Sequence, residues 1–219
     1  MAMLAGCRHQ ASDPATPSET LIERNELQNG DLLLYALPLD YSLRNGDDTS
    51  VSEIPDMREA NYIHIAMVER EGESLWVIDA TLKHNVGRHP LDTALATFTL
   101  KNGKLPLIEV YRLKDTSMAA VFIKNAKKFL GRKFDLDFDV EADEMYCSEL
   151  TRNSYVTPEG DTLFGLCEID FNTESGESPI YWDELFDLLK IDSPQGDKGI
   201  LPSDIAESDK VRRIGILKP

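Results

Sequence analysis

The sequence predicts an α+β fold built around a mostly antiparallel sheet. Three observations carry this. Short β-rich apolar runs crowd the first half, two segments of helical spacing follow, and one more strand pattern closes the chain; that order fits antiparallel pairing better than alternating βαβ units. The 219 residues are 42% hydrophobic and 28% charged, ordinary globular values that allow a core without disulfide staples. No apolar run is long enough to span a bilayer as a helix.

Taken in order, residues 1–20 and 21–219 read as separate units. Leu4-Ala5-Gly6-Cys7 resembles a bacterial lipoprotein cleavage box, followed by a small, polar, Pro-containing stretch. Residues 1–20 are therefore expected to be the remnant of a lipoprotein signal plus a flexible tether, with Cys7 as a lipid anchor and the cell envelope as location. Residues 21–219 are expected to form a single domain. Residues 21–28 suggest a short helix. Asn29-Gly30-Asp31 marks a turn before a buried strand at 32–36, and 38–58 read as loop. Strands are expected at 62–70, 75–81 and 105–113. Asp115-Thr116-Ser117 offers a helix N-cap, with helical spacing over 118–130 and Gly131 as a stop. The acidic run 135–144 reads as a solvated loop, and 146–155 as a helix. A long excursion, 157–180, leads to an amphipathic helix at 181–190, a helical turn at 202–206 and a last strand at 211–217.

Charge and cysteine content exclude several functions. The formal net charge is −16, which argues against a nucleic-acid surface and against electrostatic docking on an anionic leaflet. Membrane contact is expected only through an anchor at Cys7. The three cysteines, Cys7, Cys147 and Cys167, are an odd number, and no CxxC occurs, so a zinc ribbon or thioredoxin-type site is excluded. A Cys147–Cys167 bond stays open. No cofactor or metal is expected. Asp135, Asp137 and Asp139 begin like a calcium loop, but Val140 stands where Gly is required and Tyr146 where Glu is. His84 and His89 read as loop histidines, with His84 as a second candidate for an acid's role.

The chemistry centres on a hairpin. With its turn at Glu71-Gly72, Ile65 faces Ile78 and Met67 faces Trp76 on an apolar face, while His64 faces Asp79 on the other. Directly opposed side chains lie about 4.5–5.5 Å apart at Cβ, within reach of an imidazole–carboxylate hydrogen bond. A carboxylate that fixes a His tautomer is half of a nucleophilic site. Cys147, at the predicted start of a helix, is the candidate nucleophile, because the helix dipole and a protonated His64 both favour thiolate. Each residue also has a plainer role: a satisfied strand His, a surface ion pair, a Cys acting as a small hydrophobe.

Four segments carry a family resemblance. Asn29-Gly30-Asp31-Leu32-Leu33, Tyr62-Ile63-His64-Ile65-Ala66, Val77-Ile78-Asp79-Ala80, and Phe134-Asp135 with Tyr146-Cys147-Ser148-Glu149-Leu150 resemble the permuted papain-like cysteine hydrolases, the YiiX-like branch of the NlpC/P60 superfamily. Pro202-Ser203-Asp204-Ile205 adds a fifth match near the end. His64 precedes Cys147, the reverse of ordinary papain-like order. Two departures stand out: Asp79 where Glu is usual, and Ala66 where Gly often follows. The resemblance implies a circularly permuted papain-like fold with the cysteine helix packed on the sheet. It also implies acyl transfer through a thioester at Cys147, with His64 as base and Asp79 as its orienter. The substrate would be a small peptide, an amino-acid conjugate or a lipid-linked molecule. The same machinery would serve an amidase or peptidase, or a lipid acyltransferase or thioesterase, and a silent copy would be a tethered binding module. Tyr35 and Tyr146 are candidate oxyanion or substrate contacts beside the Cys147 amide.

Overall fold

The computed structural model describes residues 20–45, 60–173 and 176–218. Cys7, the cleavage-box resemblance and most of the expected tether lie outside the described residues, as does much of the 38–58 loop.

Seven strands form one sheet in the order β1-β9-β6-β2-β3-β4-β5. They are β1 (Leu21–Ile22), β2 (Leu32–Pro38), β3 (Ala60–Glu71), β4 (Ser74–Thr81), β5 (Asn85–Pro90), β6 (Leu107–Leu113) and β9 (Val211–Leu217). Every pairing in it is antiparallel except β1 with β9. The expected antiparallel α+β architecture is therefore present. The helix expected over 21–28 is instead β1 followed by a single 3-10 turn at Arg24–Glu26, because Leu21 and Ile22 find backbone partners on β9. Residues 85–97 form β5 and then α1 (Leu91–Thr97), so His89 stands in a strand and not in a loop.

Each face of the sheet carries a core. Leu32, Leu34, Ile65, Met67 and Ile78 pack against α2 (Ala119–Ala126) and α3 (Cys147–Ser154) through Phe122, Ile123 and Leu150. α5 (Pro202–Ala206) adds Ile205 to the same core. Leu33, Ala66, Val68 and Val77 pack on the opposite side against Leu91, Ala94 and Leu95 of α1. Period-two alternation explains both cores, since successive strand residues point to opposite faces. Asp31 is buried and takes both Nε and Nη2 of Arg112 at 2.7 Å, locking β2 to β6. Gly30, at φ +76°, lets the turn pass close to Ala119, and its carbonyl accepts the Tyr155 hydroxyl at 2.8 Å. The Gly-Asp pair thus acts as a structural anchor.

The long excursion holds β7 (Cys167–Glu168), which pairs with β8 (Lys198–Gly199) beyond it, and α4 (Ile180–Leu189) lies between the two in sequence. α4 seats Trp182 and Phe186 on Ile169, Phe171 and Leu201. Trp182 Nε1 donates to Asn61 Oδ1 at 2.7 Å, tying α4 to the start of β3.

Candidate active site

The hairpin of β3 and β4 sets the first two residues. Its turn is Gly72-Glu73, with Gly72 at φ +62°. Met67 therefore faces Ile78 and Glu69 faces Trp76, two residues away from the expected register. A shift of two preserves which face each side chain occupies, whereas a shift of one would invert it. His64 and Asp79 accordingly still share a face, now as diagonal neighbours, and His64 Nε2 lies 2.9 Å from Asp79 Oδ2. Both side chains are nearly sealed from solvent, at 5% and 3% exposure. Phe98, just past α1, stacks on the imidazole at 4.3 Å, and Tyr35 meets it edge-on at 5.2 Å.

The third residue arrives on α3. Pairing of β3 with β4 stops at Met67–Ile78, so the β4-side edge of β3 is open beside His64 and Ile65. Cys147 is the first residue of α3, near enough to that opening for the His64 imidazole and the Ile65 amide to act on its thiol. Asp79 occupies Nε2, which leaves Nδ1 as the ring nitrogen not engaged by the acid. The thiol itself is partly exposed.

The electrostatics follow from that placement. Burial opposes charge on His64, but the Asp79 bond and then the thiolate outweigh it and push its pKa up to about 9. Burial likewise opposes charge on Cys147, yet the His64 imidazolium, the Ile65 amide and Ser148 bring the thiol below its ordinary value. Between them the two groups favour thiolate and imidazolium near neutral pH.

The other expected residues sit elsewhere. Tyr35 is fully buried behind His64, and its hydroxyl has no hydrogen-bond partner in the protein. Tyr146 is buried at the N-cap of α3, where its hydroxyl accepts the Ile200 amide at 3.0 Å. Gly199 permits this, because a Cβ there would come within 2.9 Å of that oxygen. Cys147 and Cys167 carry separate thiols with no disulfide between them.

Two features escaped the sequence reading. Asp135, expected on a solvated loop, is 2% exposed, and Glu149 is 1% exposed. Glu149 takes the Tyr146 amide and Asn153 Nδ2, and burial followed by the Asp135 charge raises its pKa to about 7. The signal available was Glu at the third position of the helix, where it reaches back to the N-cap amide. The second feature is the place of Tyr181 on α4: the sequence offers it only as an apolar residue beside the excursion, lining a pocket or anchoring the loop. It lies within the field of Cys147, and burial and the thiolate raise its pKa.

Placed together, a buried imidazole held by a carboxylate and a helix-start thiol make a candidate site on a sheet whose His strand precedes its Cys helix. Residues 26–215 match the model of the family described as permuted papain-like amidase enzyme, YaeF/YiiX, C92 family, and the chain belongs to it. Among solved structures it resembles the crystal structure of an Escherichia coli O157:H7 protein described as metalloprotein yiiX, with a TM-score of 0.60 at 17% identity, covering 88% of this chain and 98% of that one. No curated protein matches. Membership makes the chain a permuted papain-like amidase-type protein, and the structural likeness shows the same fold. As for a metal, among the described residues no group of three or more His, Cys, Asp or Glu side chains is arranged to hold one.

Proposed function

We propose that the protein is a cysteine amidase that cleaves an amide or acyl bond with Cys147 as nucleophile, His64 as proton carrier and Asp79 as the group that orients His64. The observation that carries this reading is the buried Asp79–His64 pair beside the partly exposed Cys147, with its 2.9 Å carboxylate–imidazole bond and a thiol lowered by the imidazole. The Cys147 thiolate adds to the substrate carbonyl carbon, and the oxygen takes the negative charge. The Cys147 backbone N–H lies at a helix start, where amides lack intrahelical acceptors, and serves that oxygen. Collapse breaks the C–N bond, and His64 gives its proton to the departing amine. Water then attacks the thioester while His64 takes its proton, releasing acid and restoring the thiolate–imidazolium pair.

The substrate is a small peptide, an amino-acid conjugate or a lipid-linked molecule, and Cys7 would tether the domain in the cell envelope. The test is hydrolysis of a panel of peptide, N-acyl amino-acid and acyl-thioester substrates by the full chain and by Cys147→Ala. Turnover of an amide lost in Cys147→Ala supports the amidase. Turnover of acyl thioesters alone moves the reading to a thioesterase. A full panel without turnover, with a thiol of ordinary reactivity, contradicts the enzyme reading.

A further inference from the structure

Side chains alternate between the faces of a strand, so residues three apart point to opposite sides. Tyr62 and Ile65 break that rule: both pack in the core that faces α2 and α3. The pairing of β3 with β2 shows why. From Met67 to His64 the residues pair in one register, ending at His64 with Tyr35; from Tyr62 to Ala60 they pair in another, starting at Tyr62 with Ala36. Ile63 is the extra residue of a bulge. Bulges re-aim side chains beside active sites, and this one decides the face of His64. His64 pairs with Tyr35, a member of the opposite core, and stacks on Phe98 there. Asp79 points the same way, because its neighbours Ile78 and Ala80 both belong to the first core. Without the extra residue, His64 would share a face with Tyr62, away from Asp79.

The bulge is secured on its far side. β4 leaves β3 at Met67–Ile78, so β2 is the strand that pairs with residues 60–66. Tyr62 adds a second tie. Its β2 partner, Ala36, is only a methyl, and the phenol crosses β2 to donate its hydroxyl to Glu109 Oε2 on β6. Glu109 is fully buried. Its Oε1 takes Arg213 Nε from β9, and its Oε2 also takes the Tyr111 hydroxyl at 3.3 Å. The Tyr62 and Tyr111 oxygens lie 3.2 Å apart. A buried carboxylate that already holds a guanidinium is a fixed acceptor, so Tyr62 joins β3 to β6 and β9 two residues before His64. We propose that Tyr62 is a positioning residue for His64: its bond to Glu109 fixes the strand beyond the Ile63 bulge and so sets the imidazole on the face where Asp79 stands. This role rests on that of His64 as proton carrier, and it acts through the backbone of β3.

The experiment is site-resolved alkylation of Cys147 by iodoacetamide in the full chain between pH 5 and 9, with Cys167 as internal reference and urea unfolding of each variant alongside. Tyr62→Phe removes one hydroxyl and keeps the ring. A less well placed imidazolium stabilises thiolate less, so Tyr62→Phe is expected to slow Cys147 alkylation at pH 6 about three- to tenfold and to move the profile to higher pH. Tyr111→Phe takes a hydroxyl from the same carboxylate but leaves β3 tied; it is expected to lose comparable stability and keep the parent profile. Glu109→Asp withdraws the carboxylate from Tyr62 by one methylene and is expected to copy Tyr62→Phe; it carries the test if Tyr62→Phe does not fold. A Tyr62→Phe profile that superimposes on the parent, or a Glu109→Asp profile that does so in its place, overturns the proposal. So does an equal shift in Tyr111→Phe, which would make the effect one of sheet stability. His64→Ala separates the two readings. If it leaves the profile unchanged, the role of His64 falls and takes this proposal with it. If it shifts the profile while Tyr62→Phe does not, only the Tyr62 role falls.

Discussion

The first turn of α3 carries two buried titratable pairs with opposite character. Cys147 meets His64, and the two settle as opposite charges, with the thiol lowered and the imidazole raised to about 9. Glu149, two residues on, meets Asp135, a like charge. Its pKa is raised to about 7, and Glu149 Oε2 and Asp135 Oδ2 are both buried without hydrogen-bond partners. One helix start, with one dipole, supports both. The dipole favours anions at this end, so the difference comes from what each side chain faces. A strand-borne cation stabilises the thiolate, while burial, and then a second carboxylate, disfavour charge on Glu149. The first pair favours charge on both members, and the second opposes it.

Removing a member of the first pair should have the largest effect. Cys147→Ala or His64→Ala is expected to lower amide hydrolysis by about a thousandfold or more, since a nucleophile and its base act as a unit. Hydrolysis that survives His64→Ala would separate the pair. Asp79→Asn should cost about ten- to a hundredfold in kcat/KM, the range of a hydrogen bond to a charged group.

The second pair should instead show itself as stability against pH. Glu149 has a folded-state pKa above its unfolded value, so its favourable contribution is fully present below about pH 4.5 and is lost as pH rises through about 7. Urea unfolding should show this loss at about 1–3 kcal/mol. Asp135→Asn removes the facing charge and should flatten the loss. The His64 contribution also declines at alkaline pH, through about 9, so the informative quantity is the difference between the parent and Asp135→Asn from pH 5 to 8. Equal slopes would contradict the pairing. The smallest effect is expected from Tyr146→Phe, which strips the acceptor from the Ile200 amide. It should lower stability by about 1–2 kcal/mol and leave the pH profile of Cys147 unchanged. A shifted profile would return Tyr146 to the reacting groups.

Most strands were legible because alternation and turn residues bound them, and the two cores follow the alternation of β2, β3 and β4 residue by residue. β5 was not legible. Its run Asn85-Val86-Gly87-Arg88-His89-Pro90 holds Gly and Pro, both poor in strands, and only pairing with β4 makes it one. The hairpin register was misplaced by two because Gly72 takes the first turn position, at φ +62°, and not the second. His64 and Asp79 still met, since face depends only on parity. The burial of Asp135 was hidden by its acidic neighbours: composition reports a charged loop, and only packing beside Glu149 shows one of its members turned inward. Tyr181 was legible as an apolar residue beside the excursion but not as a neighbour of Cys147, because no local spacing encodes that proximity.

The central claim is the ion pair at the start of α3. Its most direct test is the rate of Cys147 alkylation at pH 6 in the parent and in His64→Ala, referenced to Cys167 in the same chain. The account expects Cys147 to react well ahead of Cys167 in the parent and to fall to thiol-like reactivity in His64→Ala. Equal rates for the two cysteines in the parent, or a His64→Ala variant as reactive as the parent, would contradict it.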